Sequence, residues 1–288
     1  MDRTLYEIKT HGKAIFPYIV YRGKIPEYIR SYPVHFHKEF EIVYVVQGQG
    51  LFSVQTNQYI AKEGDIVIIP PEVLHSIKQL NNNEVEYFNI LFDFNLLENK
   101  NSYCYEKYFK GIYDHTQILP TYLQKEQELN KLITPHLQYL ISKRKEKYST
   151  GELMVKSNLY AILYYLVQHS KNTNDAYLKL ENNFSKIKNV LYHVQEHYAE
   201  VITVDNAAML INYSASYFSK LFRELTGTSF TQYLKDYRLE IAADKLITTE
   251  KTITEISQET GFCNLGYFSR SFYQKFGLTP NQYRKKLV

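Results

Sequence analysis

The chain has 288 residues, 44% of them hydrophobic and 22% charged, a globular balance with room for two ordinary domains. No run approaches the roughly 20 apolar residues of a membrane-spanning helix, and Met1-Asp2-Arg3-Thr4 lacks the layout of a secretion signal. Cys104 and Cys263 are too few for a disulfide scaffold and point to a reducing cytoplasm, while a net charge of +4 does not by itself announce a nucleic-acid partner.

The first hundred residues read as strands. Runs at 18–22, 41–46, 51–55, 58–61, 66–69 and 86–94 are rich in β-branched and aromatic residues. Gly48, Gly50, Asn57, Gly64, Pro70-Pro71 and Asn81-Asn82-Asn83 punctuate them. Such spacing without helical periods predicts a sandwich or barrel. Within it stand His35, His37, Glu39 and Glu41, then Gly48, with His75 further on. If the strand is continuous, the odd-numbered residues share one face. Three readings stay open: hydrogen bonding to a small effector by His35, His37, Glu39, Glu41 or His75; a divalent metal on His35, His37, Glu41 and His75; or structural polar contacts in the barrel mouth. The spacing resembles the first motif of the cupin barrel, through Gly48. The second motif departs from it, with Glu72 where glycine is usual and Gln79 where asparagine is usual. Paired carboxyl and imidazole groups suit a sugar or polyol, which offers donors and acceptors together.

After about residue 105 the period changes. Leu129, Leu132, Ile133, Leu137, Leu140 and Ile141 form a helical stripe, interrupted by Pro135, which predicts a kink or a junction. A second stripe runs through Leu159, Ile162, Leu163 and Leu166. This pair either packs on the barrel or forms a dimer seam. Residues 171–184 are polar and asparagine-rich and read as a linker. Ser185 is a candidate N-cap for a helix carrying Ile187, Val190, Leu191, Val194 and Tyr198.

The last hundred residues contain a repeat. Tyr217-Phe218-Ser219-Lys220-Leu221-Phe222 returns as Tyr267-Phe268-Ser269-Arg270-Ser271-Phe272, and Gly227, Gln232 and Tyr233 return as Gly277, Gln282 and Tyr283. Each copy reads as helix, tight turn, helix. Thr252 and Glu255 have capping-box spacing, Gly261 and Asn212 suit the left-handed turn position, and Gly227 and Gly277 suit helix stops. Phe218, Leu221, Phe222 and Leu225, then Phe268, Phe272 and Phe276, form apolar faces. Opposite lie Ser216, Ser219, Lys220 and Arg223, then Ser269, Arg270 and Tyr273. Small hydroxyls with one or two cations suit a helix in a DNA major groove. A helix over 229–246 would join the units. Its length of about 27 Å is shorter than the ~34 Å between successive major grooves on one face, which predicts tilted recognition helices or bent DNA. Thr279 and Pro280 open a terminal helix.

The run Ile253-Thr-Glu-Ile256, Gly261-Phe262, Tyr267-Phe268-Ser269-Arg270, Phe272, Gly277, Pro280 and Tyr283-Arg284 resembles the AraC/XylS family of bacterial transcription regulators over about 202–284. The resemblance implies DNA contacts from Ser216, Tyr217, Ser219 and Lys220, and from Gly266, Tyr267, Ser269 and Arg270. Ser257 stands where the family often has alanine, and Asn212 where it often has glycine. Gly266 offers no side chain to a base, so the second helix would mainly anchor.

The expected architecture is α+β and multidomain: a cupin-like β-barrel over 1–115, a helical dimerisation or packing region over 116–170, a linker over 171–184, and an all-α tandem helix-turn-helix domain over 185–288. The expected partners are double-stranded DNA, a small-molecule effector such as a sugar, a second copy of the chain and RNA polymerase, with no membrane. Residues 1–16 are a candidate lid over the effector. No P-loop, dinucleotide-binding glycine pattern or HExxH helix is present, so the chain does not read as an enzyme. The resemblance implies a cytoplasmic, effector-responsive activator whose barrel binds its effector without a metal or other cofactor, and the His-x-His-x-Glu-x-Glu run is similar to that of family members associated with carbohydrate-utilisation genes. The alternatives are a metal-dependent cupin enzyme with an accessory helical domain, and an effector-blind regulator whose barrel only dimerises.

Overall fold

A computed structural model describes residues 15–26, 31–144, 151–173 and 175–287. Most of the candidate lid, residues 1–14, lies outside them. The chain divides into two compact units between Lys179 and Leu180.

The first unit is an antiparallel roll. Its strands are β1 (Tyr18–Ile25), β2 (Ser31–His35), β3 (Phe40–Val54), β4 (Asn57–Lys62), β5 (Ile66–Ile69), β6 (His75–Gln79) and β7 (Val85–Phe92). The chain then passes through a short helix α1 (Lys110–Tyr113), strands β8 (Gln117–Ile118) and β9 (Tyr122–Leu123), helices α2 (Glu128–Lys143) and α3 (Gly151–Gln168), and β10 (Lys171–Asn172), which pairs with β8. Strand β3 belongs to two sheets. Its first half lies between β5 and β7, and its second half pairs with β4 and β6. The two runs expected at 41–46 and 51–55 are therefore one long strand. The corner falls at a register shift between Val45 and Gln47 and at Gly48, whose φ is +75°. A Cβ at Gly48 would lie 1.9 Å from the Glu84 carbonyl oxygen, so only glycine fits.

Side-chain alternation decides what each face does. Phe40, Ile42, Ile66, Ile68, Ile90 and Phe92 share a core with Leu129, Ile133, Leu137 and Leu140 of α2 and Leu159, Ile162, Leu163 and Leu166 of α3. Val43, Val45, Val67, Ile69, Val85 and Tyr87 belong to a separate cluster with Phe52, Val54 and Ile77 of the other sheet. The helical pair thus packs on the outer face of the roll, and no structural boundary falls at residue 115. Asn130, buried in α2, ties this layer to the roll by donating to the carbonyls of Gly64 and Leu123 at 3.0 and 2.9 Å. Pro135 sits inside one continuous helix rather than at a junction.

The segment 171–184 also differs from its reading as a linker. It holds β10 and the start of α4 (Asp175–His197). Ser185 accordingly lies inside that helix and does not cap it. Asparagine-rich polarity was the signal for a loop, but local polarity does not prevent a helix whose later turns bury Phe184, Ile187, Val190, Leu191 and Val194.

The second unit continues with α5 (Val204–Met209), α6 (Ala215–Thr226), α7 (Phe230–Thr248), α8 (Ile253–Glu259), α9 (Leu265–Phe276) and α10 (Pro280–Leu287). Among the described residues no helix is long and apolar enough to cross a membrane.

Candidate functional site

Two helix-turn-helix pairs, α5–α6 and α8–α9, flank the long helix α7. Each is built from complementary caps. Thr203 and Asn206 form a capping box at α5, and Thr252 and Glu255 form one at α8. Asn212 and Gly261 take positive φ in the two turns, at 56° and 80°. Ser214 and Asn264 cap α6 and α9 by accepting from the backbone of Tyr217 and Tyr267. Gly227 and Gly277, both left-handed, end those helices.

Phe218, Leu221, Phe222 and Leu225 bury one face of α6, and Phe268 and Phe272 bury one face of α9, with Phe276 at its edge. The opposite face of α6 exposes Ser216, Tyr217, Ser219, Lys220 and Arg223. On α9, Gly266, Tyr267 and Arg270 are exposed, while Ser269 is half-buried. Lys220 Nζ lies 3.8 Å from Glu224, with both side chains largely exposed, a pairing weak enough to exchange for a phosphate. At Gly266 an added Cβ would come 3.6 Å from Arg270 Nη1. That is ordinary contact; the tighter neighbour is the capping Asn264 Oδ1, at 3.2 Å.

The sequence gave no sign of the groups that hold these faces in place. Tyr213 accepts from Lys186 of α4 at 3.0 Å, donates to Asn183 and meets the Tyr217 ring edge-on at 4.8 Å between centroids. It positions the exposed tyrosine of α6. Lys275 of α9 bonds Glu240 of α7 at 2.8 Å. Lys245 and Lys251 share Glu259 of α8 and hold its carboxyl down at about 2. Arg238 of α7 donates to the carbonyls of Tyr198 and Glu200.

Ser257, on α8, is 1% exposed, and among the described residues its hydroxyl has no hydrogen-bond partner. An unpaired buried hydroxyl costs about 1–3 kcal/mol. Ser257→Ala is expected to stabilise the second unit by about 1 kcal/mol, after the small void left by the oxygen is offset. A midpoint in urea at or below that of the parent protein would refute this.

In the roll, the structure brings all five residues of the candidate effector site together, though not on one strand face. His35 ends β2, His37 and Glu39 lie in the turn after it, Glu41 opens β3 and His75 opens β6. The strand expected to carry them breaks at 36–39, and the turn makes the convergence. All five are buried, His35 at 8% exposure and the others at 1–2%. The register pairs His35 with His75 across β2 and β6, and their rings sit 4.0 Å apart between centroids.

The hydrogen bonding of this cluster is informative. His37 Nδ1 faces the Glu39 carbonyl at 3.1 Å and His75 Nδ1 the Val73 carbonyl at 2.8 Å. A carbonyl only accepts, so both Nδ1 atoms carry the proton. The Nε2 atoms then meet at one carboxylate oxygen, Glu41 Oε2, at 2.9 Å for His37 and 3.2 Å for His75. The first is a hydrogen bond. The second is electrostatic, because His75 Nε2 is not aligned for one. Burial alone would raise the Glu41 carboxyl, but the His37 and His75 contacts outweigh it and hold the group well below the ordinary carboxylate range. Protons at the two Nε2 atoms, or a cation in their place, would satisfy the three groups. His35, His37 and His75 offer ligand nitrogens within 4.8 Å of one another, and a carbonyl on the far nitrogen of a histidine is the usual support of a metal ligand.

Two regions of the chain match families of known proteins. Residues 25–103 match the family model of the AraC-like ligand binding domain, and residues 207–286 that of a helix-turn-helix domain. The chain is 24% identical to the uncharacterized HTH-type transcriptional regulator YdeC of Bacillus subtilis, over 99% of this chain and 97% of that protein. It is 23% identical to the Msm operon regulatory protein of Streptococcus mutans, over 86% and 84%. A crystal structure of ToxT from Vibrio cholerae aligns with 94% of this chain and 99% of its own, at 14% identity and a TM-score of 0.49. The chain belongs to the AraC family of helix-turn-helix transcriptional regulators, with a ligand-binding domain ahead of its DNA-binding domain.

Proposed function

We propose that the chain is an effector-responsive activator that contacts successive major grooves of DNA with α6 and α9. The observation that carries this reading is the matched pair of helices, each with an aromatic buried face, an exposed tyrosine and an exposed cation at equivalent positions. Ser216, Tyr217, Ser219, Lys220 and Arg223 serve the first half-site, and Gly266, Tyr267, Ser269 and Arg270 the second. The nineteen residues of α7 span about 28 Å, short of the groove repeat, so modest DNA bending accompanies binding. Lys220→Ala and Arg270→Ala are each expected to weaken binding and to lower the slope of log K against log salt by about 1. Unchanged affinity and slope, with the fold intact, would remove the residue from the interface.

The effector is a small polar molecule, with a sugar or polyol as the first class to test, held by His35, His37, Glu39, Glu41 and His75. Its binding shifts the population of conformers that present the DNA-binding unit. The same chain acts as a cytoplasmic dimer that recruits RNA polymerase. The dimer contact is supported by Leu132 of α2 and Leu153, Met154 and Tyr164 of α3, large apolar side chains that stay exposed on the helical layer. A second reading, a metal ion in the roll, is favoured by the convergence of His37 and His75 Nε2 on Glu41. Stoichiometric iron, manganese or zinc in the purified protein, lost on His37→Ala, would select it over the organic effector.

A further inference from the structure

A second group of metal-binding side chains lies in the DNA-binding unit, away from both sites described above. His193 and His197 stand one turn apart on α4, and their rings lie 4.4 Å apart between centroids at an interplanar angle of 31°. Residues four apart on a helix share a face, and two imidazoles so placed can chelate one ion. His197 Nδ1 is 3.0 Å from Glu200 Oε1. That carboxylate accepts the Nδ1 proton, which fixes the tautomer and leaves Nε2 with its lone pair outward. The arrangement is the one that orients a metal-binding histidine and raises its basicity.

The surroundings fit a cation of that kind. The pair occupies the last turns of a 23-residue helix, where the partial negative charge of the helix terminus attracts cations. Glu196 and Glu200 add acidic charge there. Arg238 is turned to the carbonyls of Tyr198 and Glu200. His193 also lines an open groove of about 430 Å³ together with Glu200, Asn206 and Met209. The groove borders the pair on the His193 side and places the Met209 thioether in the same hollow. Imidazole with a nearby thioether suits late first-row divalent ions.

We propose that His193 and His197 bind a late first-row divalent ion, copper(II), nickel(II) or zinc(II), with Glu200 as the positioning residue. Both ligands lie on α4, so an ion held there stiffens the last turns of that helix, which lead into the first helix-turn-helix pair.

The test uses the full chain dialysed to equilibrium against zinc chloride, followed by metal analysis. His193→Ala/His197→Ala is expected to hold one equivalent fewer than the parent protein. Whatever the buried histidines of the roll retain is common to both proteins. Glu200→Gln should keep that equivalent with about tenfold weaker affinity. Equal metal content in the parent and the double variant would overturn the proposal. A second readout needs no variant. Sub-stoichiometric copper(II) should broaden the ring proton signals of His193 and His197 and the methyl signal of Met209. If these stay sharp at one added equivalent per binding site, the proposal fails.

Discussion

Gly261→Ala is expected to destabilise the DNA-binding unit by about 2–5 kcal/mol and to abolish specific DNA binding near physiological temperature. Two effects add. The residue has φ +80°, where an L side chain costs about 1–2 kcal/mol. Its added Cβ would also sit 2.9 Å from the Ala199 carbonyl oxygen and 3.0 Å from Arg238 Cζ and Nε. Neither neighbour is free to yield. The carbonyl is backbone, and Arg238 is held by the carbonyls of Tyr198 and Glu200. Overpacking against such groups costs about 1–3 kcal/mol more. The second helix-turn-helix pair meets α7 and the loop before α5 at this point, so the strain falls on the joint between the two halves of the reader.

The matching control is Gly277→Ala. That glycine has a similar φ, +70°, but a Cβ there meets nothing within 4 Å. Only the backbone cost remains, about 1–2 kcal/mol. Thermal unfolding followed by helical circular dichroism, with DNA affinity measured at a temperature where each variant is folded, separates the pair. Equal losses for the two variants would mean that the contact with Arg238 and Ala199 carries no weight.

What the sequence made legible follows from how each signal is encoded. The helix-turn-helix units were readable because their determinants are local. A cap, a turn residue and an apolar stripe sit within one turn of the helix they specify, and the same set appears twice. The boundary glycines, Asn212, the Thr252–Glu255 box and the caps at Ser229 and Thr279 all fall where local chemistry put them. The candidate site of the roll was legible as a set of residues but not as a geometry. Strands β2 and β6 were missed, since Ser31–His35 and His75–Gln79 lack β-branched runs and pair only with distant partners. The histidines reach one another through that pairing, which is non-local. The role of α2 and α3 stayed open for the same reason: an apolar stripe shows that a face is buried, not against what. Their contact with Ile42, Ile66 and Ile90 depends on the even-numbered face of β3, β5 and β7 having no other cover. The chain carries 28 tyrosines, and part of that number is explained at this level. Tyr160, Tyr122 and Tyr59 each bury a ring and reach a polar partner at the edge of the roll, namely Glu98, Asp65 and Thr121.

Glu41→Ala is expected to cost the first unit about 3–5 kcal/mol, because it leaves two inward-facing imidazole Nε2 atoms without their anion at a site closed to water. Glu41→Gln keeps the shape and one acceptor but loses the charge, so it should lie between the parent and the alanine variant. The dependence on pH tests the cause. A carboxyl held below its ordinary value of 4.5 contributes stability that is present above that value and lost as pH falls toward the depressed one. The gap in stability between the parent and Glu41→Gln should therefore be widest near neutrality and close on acidification. A gap that stays constant through the carboxylate range would show that the side chain acts by packing alone. Both variants should still bind DNA through α6 and α9 at low salt, since none of the exposed residues there depends on the roll for its caps or its core. Loss of any response to effector or metal with that DNA binding intact would place sensing at the Glu41 cluster and reading at the recognition helices. Parallel loss of both would mean that the two units cannot be perturbed independently.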